Sequence, residues 1–206
     1  MTINTLTGVL VALGALDPES IQLSLKCAVL ESKAKKANPP LPKRLRPAPV
    51  LSIYSGLGYA ELPGRREIES ALTQPRCWSA LGAPSQAKAE ASANHFGIFF
   101  VDLNRPNVLA MTDGTYIYWD FAMGNPYYGL MPLKVENLWR GAFGTRQNLT
   151  GRLFSAIIFL HELAHRLGGI PFDGEDYELN RCNTLKIITN CVPQAFAPER
   201  FSQKLN

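Results

Sequence analysis

The sequence predicts an α+β fold: a single main domain with a buried helix, a small mixed sheet and a C-terminal helix. Three observations carry this. Residues 152–168 are apolar nearly all round, through Leu153, Phe154, Ala156, Ile157, Ile158, Phe159 and Leu160, as a helix buried on every side must be. Residues 97–103, 107–111 and 115–121 are short, β-branched and aromatic runs separated by turn residues, and read as strands. Leu179, Cys182, Leu185, Ile188 and Cys191 recur every third residue, the stripe of a last helix.

Length and composition set the frame. A chain of 206 residues suits one domain with an extension, and its core needs no metal or disulfide to close. We divide it into an N-terminal segment, 1–49, and a main domain, 50–206. The net charge of +4 is mild, and six of the basic residues crowd between Lys33 and Arg46. That cluster reads as a solvated linker, so no nucleic-acid footprint is expected. Residues 6–16 are apolar but too short to span a membrane, and no Lys or Arg precedes them. They read as the remnant of a signal peptide or as a buried terminal segment.

The elements follow in order. Residues 18–37 read as a helix capped by Asp17, with Ile21, Leu25, Ala28 and Val29 on its apolar face. Residues 38–49 hold five prolines and three basic residues, a stiff linker that is either a processing site or a surface loop. A short strand is expected over 50–54, then a glycine turn at Gly56 and Gly58, then helices over 65–73 and 85–94. Residues 123–132 and 137–146 read as loops, the first rich in aromatics that could wall a cleft. Thr150 can cap the central helix, and Gly168-Gly169 should end it.

Four cysteines, Cys27, Cys77, Cys182 and Cys191, and the sequon Asn148-Leu149-Thr150 both permit export. Cys182 and Cys191 on one helix would lie about 13 Å apart along its axis, too far to bond, so two pairings remain.

The central helix carries His161-Glu162-Leu163-Ala164-His165. Residues four apart share a helix face, so both imidazoles can meet one metal ion, with Glu162 beside them as general base for a water. Two imidazoles and a carboxylate suit Zn2+. The carboxylate is sought downstream. Asp173 is either this ligand or the N-cap of the last helix, with Glu175, Asp176 and Glu178 as the other candidates. His95, the one other histidine, reads as structural.

The segment resembles the zincin metallopeptidases, and more narrowly the metzincin-type pattern H-E-x-x-H-x-x-G-x-x-H/D, with Gly168 at the glycine. Pro171 stands where that pattern puts its third ligand, and Asp173 follows two residues later. In this the chain is similar to small uncharacterised bacterial zincin-like proteins whose H-E-L-x-H-x-x-G precedes an aspartate. The resemblance implies a zinc metalloendopeptidase, with Zn2+ on His161, His165 and Asp173 and with Glu162 as catalytic base. It favours a disulfide between Cys77 and Cys191. It also implies a strand at the sheet edge, for which we take residues 116–121, to pair with an extended peptide or protein substrate. Tyr177, Tyr127 or Tyr128 could stabilise the oxyanion.

Pro75-Arg76-Cys77 resembles the inhibitory cysteine segment of matrix metalloproteinase propeptides, but Trp78-Ser79 follow, so Cys77 is expected in a disulfide. Two other functions share the motif. One is a non-catalytic zinc-binding domain. The other is a different zinc hydrolase; the deformylase type is disfavoured because no Gly-Cys-Leu surrounds Cys27 or Cys77.

Overall fold

The computed structural model describes residues 18–37, 55–101, 103, 108–120, 151–174 and 176–196, and these form an α+β architecture. The described helices are α1 (Pro18–Ala37), α2 (Arg65–Leu72), α3 (Pro75–Ala80), α4 (Gln86–Asn94), α5 (Gly151–Leu167) and α6 (Tyr177–Cys191). The strands are β1 (Ser55–Leu57), β2 (Gly97–Val101), β3 (Ala110–Thr112) and β4 (Tyr116–Asp120).

The sheet is mixed, in the order β1-β2-β4-β3. β4 runs parallel to β2, pairing Gly97 with Tyr116 and Val101 with Asp120, and antiparallel to β3. The β3–β4 hairpin is made by Asp113 and Gly114. Asp113 Oδ1 accepts from the N–H groups of Thr115 and Tyr116, Oδ2 accepts from the Tyr118 hydroxyl, and Gly114 takes a left-handed φ of 86°. Side chains alternate across the pleat. Ile98, Phe100, Ile117 and Trp119 join the main core with α5, while Val101, Met111 and Tyr118 form a second cluster on the other face.

β4 therefore lies inside the sheet, not at its edge as expected for residues 116–121. The hairpin folds β4 back between its two neighbours, and its aromatic run suits burial on both sides; the edges among the described strands are β1 and β3. Three boundaries also shift. Gly56 sits in a strand and not a turn, β2 stops at Val101, and β3 spans Ala110–Thr112. The strand expected over 50–54, the loops at 123–132 and 137–146, and the caps Asp17 and Thr150 lie outside the described residues.

α5 is the hub. It is buried from Leu153 through His165, as its composition required. Phe159 meets Tyr59 and Phe96 at ring-centroid distances of 5.5 and 5.9 Å. Its end is a Schellman motif. Gly168 takes φ 75°, its N–H donates to His165 O, and the Gly169 N–H donates to Ala164 O at 2.9 Å. Gly169 then lies directly on the backbone of α3's last turn, where a Cβ would overlap the carbonyls of Ala80 and Leu81.

α1 spans the expected residues but turns a different face inward. Leu25 and Val29 are 51% and 53% exposed, whereas Leu23, Cys27, Leu30 and Ala34 are half-buried. The contact with α6 sets this rotation: Cys27 is bonded to Cys182, and Lys26 pairs with Glu178. α3 was not anticipated from the sequence; Pro75 opens it and Cys77 lies within it, bonded to Cys191. The inhibitory-thiol resemblance is thereby excluded, because Cys77 carries no free thiol. Two disulfides suit an oxidising setting, and no described helix is long and apolar enough to cross a membrane.

Two outcomes follow for stability. Replacing Cys77 and Cys191 together by Ala, which opens a closure across 114 residues of sequence separation, should lower the unfolding free energy by about 2–5 kcal/mol in a denaturant titration. Gly169→Ala should cost about 3 kcal/mol in the same titration, because only backbone could move to admit the methyl.

Candidate metal centre

His161 and His165 project from one face of α5, four residues apart. Asp173 reaches them from the segment that follows the Gly168-Gly169 turn. Their ligand atoms lie within 4.8 Å of one another and all three residues are buried. His161 Nε2 stands 3.0 Å from His165 Nε2 and 3.4 Å from Asp173 Oδ2, and His165 Nε2 is 3.1 Å from Asp173 Oδ1.

Those separations test whether a metal ion fits. Bonds of about 2.0–2.2 Å from nitrogen and oxygen donors put neighbouring ligands about 3.3 Å apart on a tetrahedron. The three separations lie close to that edge, with one carboxylate oxygen of Asp173 facing each imidazole. The group could therefore hold a metal ion.

The surroundings fix the donors. The His161 Nδ1 lies 3.1 Å from Thr184 Oγ1 on α6. With Nδ1 protonated, that N–H donates to the hydroxyl oxygen and Nε2 keeps its lone pair. Asn180 Nδ2 donates to Asp173 Oδ2 at 2.5 Å. Burial pushes the Asp173 carboxyl up, but hydrogen bonds and charge from His161 and His165 outweigh it and hold the group well below the usual carboxylate range. His165 Nδ1 is buried and makes no hydrogen bond among the described residues; the Phe172 ring packs edge-on against the imidazole.

Glu162 lies beside the trio. Burial pushes its carboxyl up to about 7; His165 opposes the shift and Asp173 adds to it. This is a carboxyl kept out of water by the same core that buries the histidines.

The ambiguity over Asp173 resolves toward the histidines. The N-cap of α6 is Asp176, whose Oδ1 accepts from the Glu178 and Leu179 N–H groups at 3.0 Å. Glu178 is committed elsewhere, to Lys26 at 2.7 Å, and the side chain of Glu175 lies outside the described residues. Tyr177 opens α6 with its side chain exposed, outside the buried group, and Tyr127 and Tyr128 lie outside the described residues. His95 closes α4, its Nδ1 2.6 Å from Ala91 O, a structural role as expected.

Thr184, Asn180 and Asn183 were missed from sequence. Their signal was a polar face, three and four residues apart, on a helix otherwise read by its apolar stripe. No family model, curated protein or solved structure matches the chain.

The site makes a direct demand on its ligands. The purified chain should take up one divalent ion, and Asp173→Ala should lose it in elemental analysis. Thr184→Val, which leaves all three donors in place, should weaken the ion about tenfold in chelator competition.

Proposed function

We propose that this chain is a zinc-dependent hydrolase of the zincin type that cleaves peptide bonds. The observation that carries the reading is the donor set. Two imidazoles and one carboxylate converge, and no fourth His, Cys, Asp or Glu joins them among the described residues. Three protein ligands with one position left for water is the pattern of catalytic zinc, whereas structural zinc is closed by four. Two nitrogens and a carboxylate oxygen favour zinc over the oxygen-loving cations.

Bound Zn2+ would supply Lewis acidity, acidifying a water and polarising a carbonyl. The chain does the rest. His161 and His165 would hold the ion from a helix that cannot shift without unpacking the core. Asp173 would offset its charge. Glu162, next to His161 in sequence and free of the donor set, accepts a proton from the attacking water and returns it to the leaving amine.

The burial of all four residues, between 4% and 8% exposed, favours a second reading, a metal-binding domain without catalysis. Glu162 separates the two. Glu162→Gln should keep the metal and reduce cleavage of an unfolded polypeptide by at least about a hundredfold, the range expected for a lost general base. Chelation should abolish wild-type cleavage, and added Zn2+ should restore it. A chain that binds zinc but never cleaves, with or without Glu162, would establish the second reading.

A further inference from the structure

We propose that Lys186, with Glu31 behind it, is a positioning residue for the Asp173 carboxylate. The inference rests on the metal-binding reading of the preceding subsections. It starts from three hydrogen bonds that α6 makes to the segment leaving the metal helix. Lys186 Nζ donates to Gly169 O at 2.9 Å, Asn183 Nδ2 donates to Pro171 O at 2.9 Å, and Asn180 Nδ2 donates to the Asp173 carboxylate. The donors are three residues apart on α6, so they share one face. The acceptors fall on alternate residues of the segment, in the opposite order. Segment and helix are laced together over the full distance from the end of α5 to the carboxylate.

The rungs differ in character. Those from Asn180 and Asn183 are amide donors held within α6. The rung at Gly169 is an ammonium, and it is shared with a second helix: Lys186 Nζ also lies 2.8 Å from Glu31 Oε1 on α1. Burial pushes the Glu31 carboxyl up, but Lys186 and Lys35 outweigh it and hold it below the ordinary range. The Cys27–Cys182 bond lies one helical turn earlier on both helices, since Cys27 precedes Glu31 by four residues as Cys182 precedes Lys186. The disulfide therefore holds Glu31 opposite Lys186, and Lys186 holds the near end of the segment that ends in Asp173.

Gly169 is the point where that hold matters. It is pressed on the backbone of α3 on one side and bonded to Lys186 on the other. Release of its carbonyl would remove the rung nearest the Schellman turn and loosen the near end of the segment, and a ligand displaced by a fraction of an ångström binds its ion less well.

The test uses the full chain with its disulfides intact. Zn2+ affinity is measured by competition with a chromophoric chelator at neutral pH, Co2+ loading is followed by its visible absorption, and the thermal midpoint of each metal-free protein is recorded. Lys186→Met should weaken Zn2+ about tenfold, the low end of what losing a direct partner of a ligand costs, and change the Co2+ band. Glu31→Gln should move both readouts in the same direction, and Lys186→Arg should restore them. Lys26→Met, which breaks an exposed ion pair between the same two helices, should keep Zn2+ affinity within about twofold of wild type. Zn2+ affinity unchanged in Lys186→Met and Glu31→Gln, with only the thermal midpoint lowered, would overturn the proposal and leave Lys186 a packing residue. Should Lys186→Met fail to fold, Glu31→Gln decides alone, and unchanged affinity there overturns the proposal. A wild-type chain that binds neither ion would remove the metal reading itself, a different result from equal binding by wild type and variant.

Discussion

Asp173 sits between two imidazoles in the interior of the protein, and most of the fold answers to that arrangement. A carboxylate out of water is tolerated only with strong partners. His161 and His165 supply them, and Asn180 donates a further hydrogen bond. The histidines are themselves buried because α5 is apolar on every side, so α5 must be wrapped by the sheet, α2 and α6. The cluster is a polar island in a hydrophobic core. A divalent ion at its centre would bring the one missing ingredient, positive charge that does not depend on protonating an imidazole.

α6 connects this island to the rest of the molecule. It carries Thr184 and Asn180 behind His161 and Asp173, and it receives both disulfides, from α1 through Cys182 and from α3 through Cys191. The apolar stripe that marked it in the sequence packs it to the core. Its polar face does something else, holding the orientation of groups on a neighbouring helix and loop. A helix fixed covalently at two points loses little further freedom when its side chains order a site, which suits a centre whose geometry must be kept to tenths of an ångström.

Much of this was legible beforehand. The α+β class, the buried helix, its glycine stop and the convergence of two histidines all follow from local patterns. Those signals are short-range: a period, a spacing of four, a residue tolerant of left-handed backbone. Asp173 was ambiguous because an acidic residue just ahead of a helix can be a cap or a ligand, and only the folded chain shows that Asp176 takes the cap. The place of β4 in the sheet was misjudged because strand order is set by how the hairpin returns, and no residue type in Tyr116–Asp120 encodes that. The inward face of α1 was misjudged because a disulfide and two ion pairs with α6, not apolar periodicity, orient it.

The lacing of the segment after α5 also turns sequence length into geometry. Lys186, Asn183 and Asn180 meet Gly169, Pro171 and Asp173 in strict alternation. An inserted or deleted residue between Gly169 and Asp173 would therefore not be absorbed as slack, as it is in most loops. It would put the donors beyond it out of step with their acceptors and turn the carboxylate away from the imidazoles. The stretch from His165 to Asp173 behaves as a ruler, and chain variants that change its count should be rarer than variants that change its side chains.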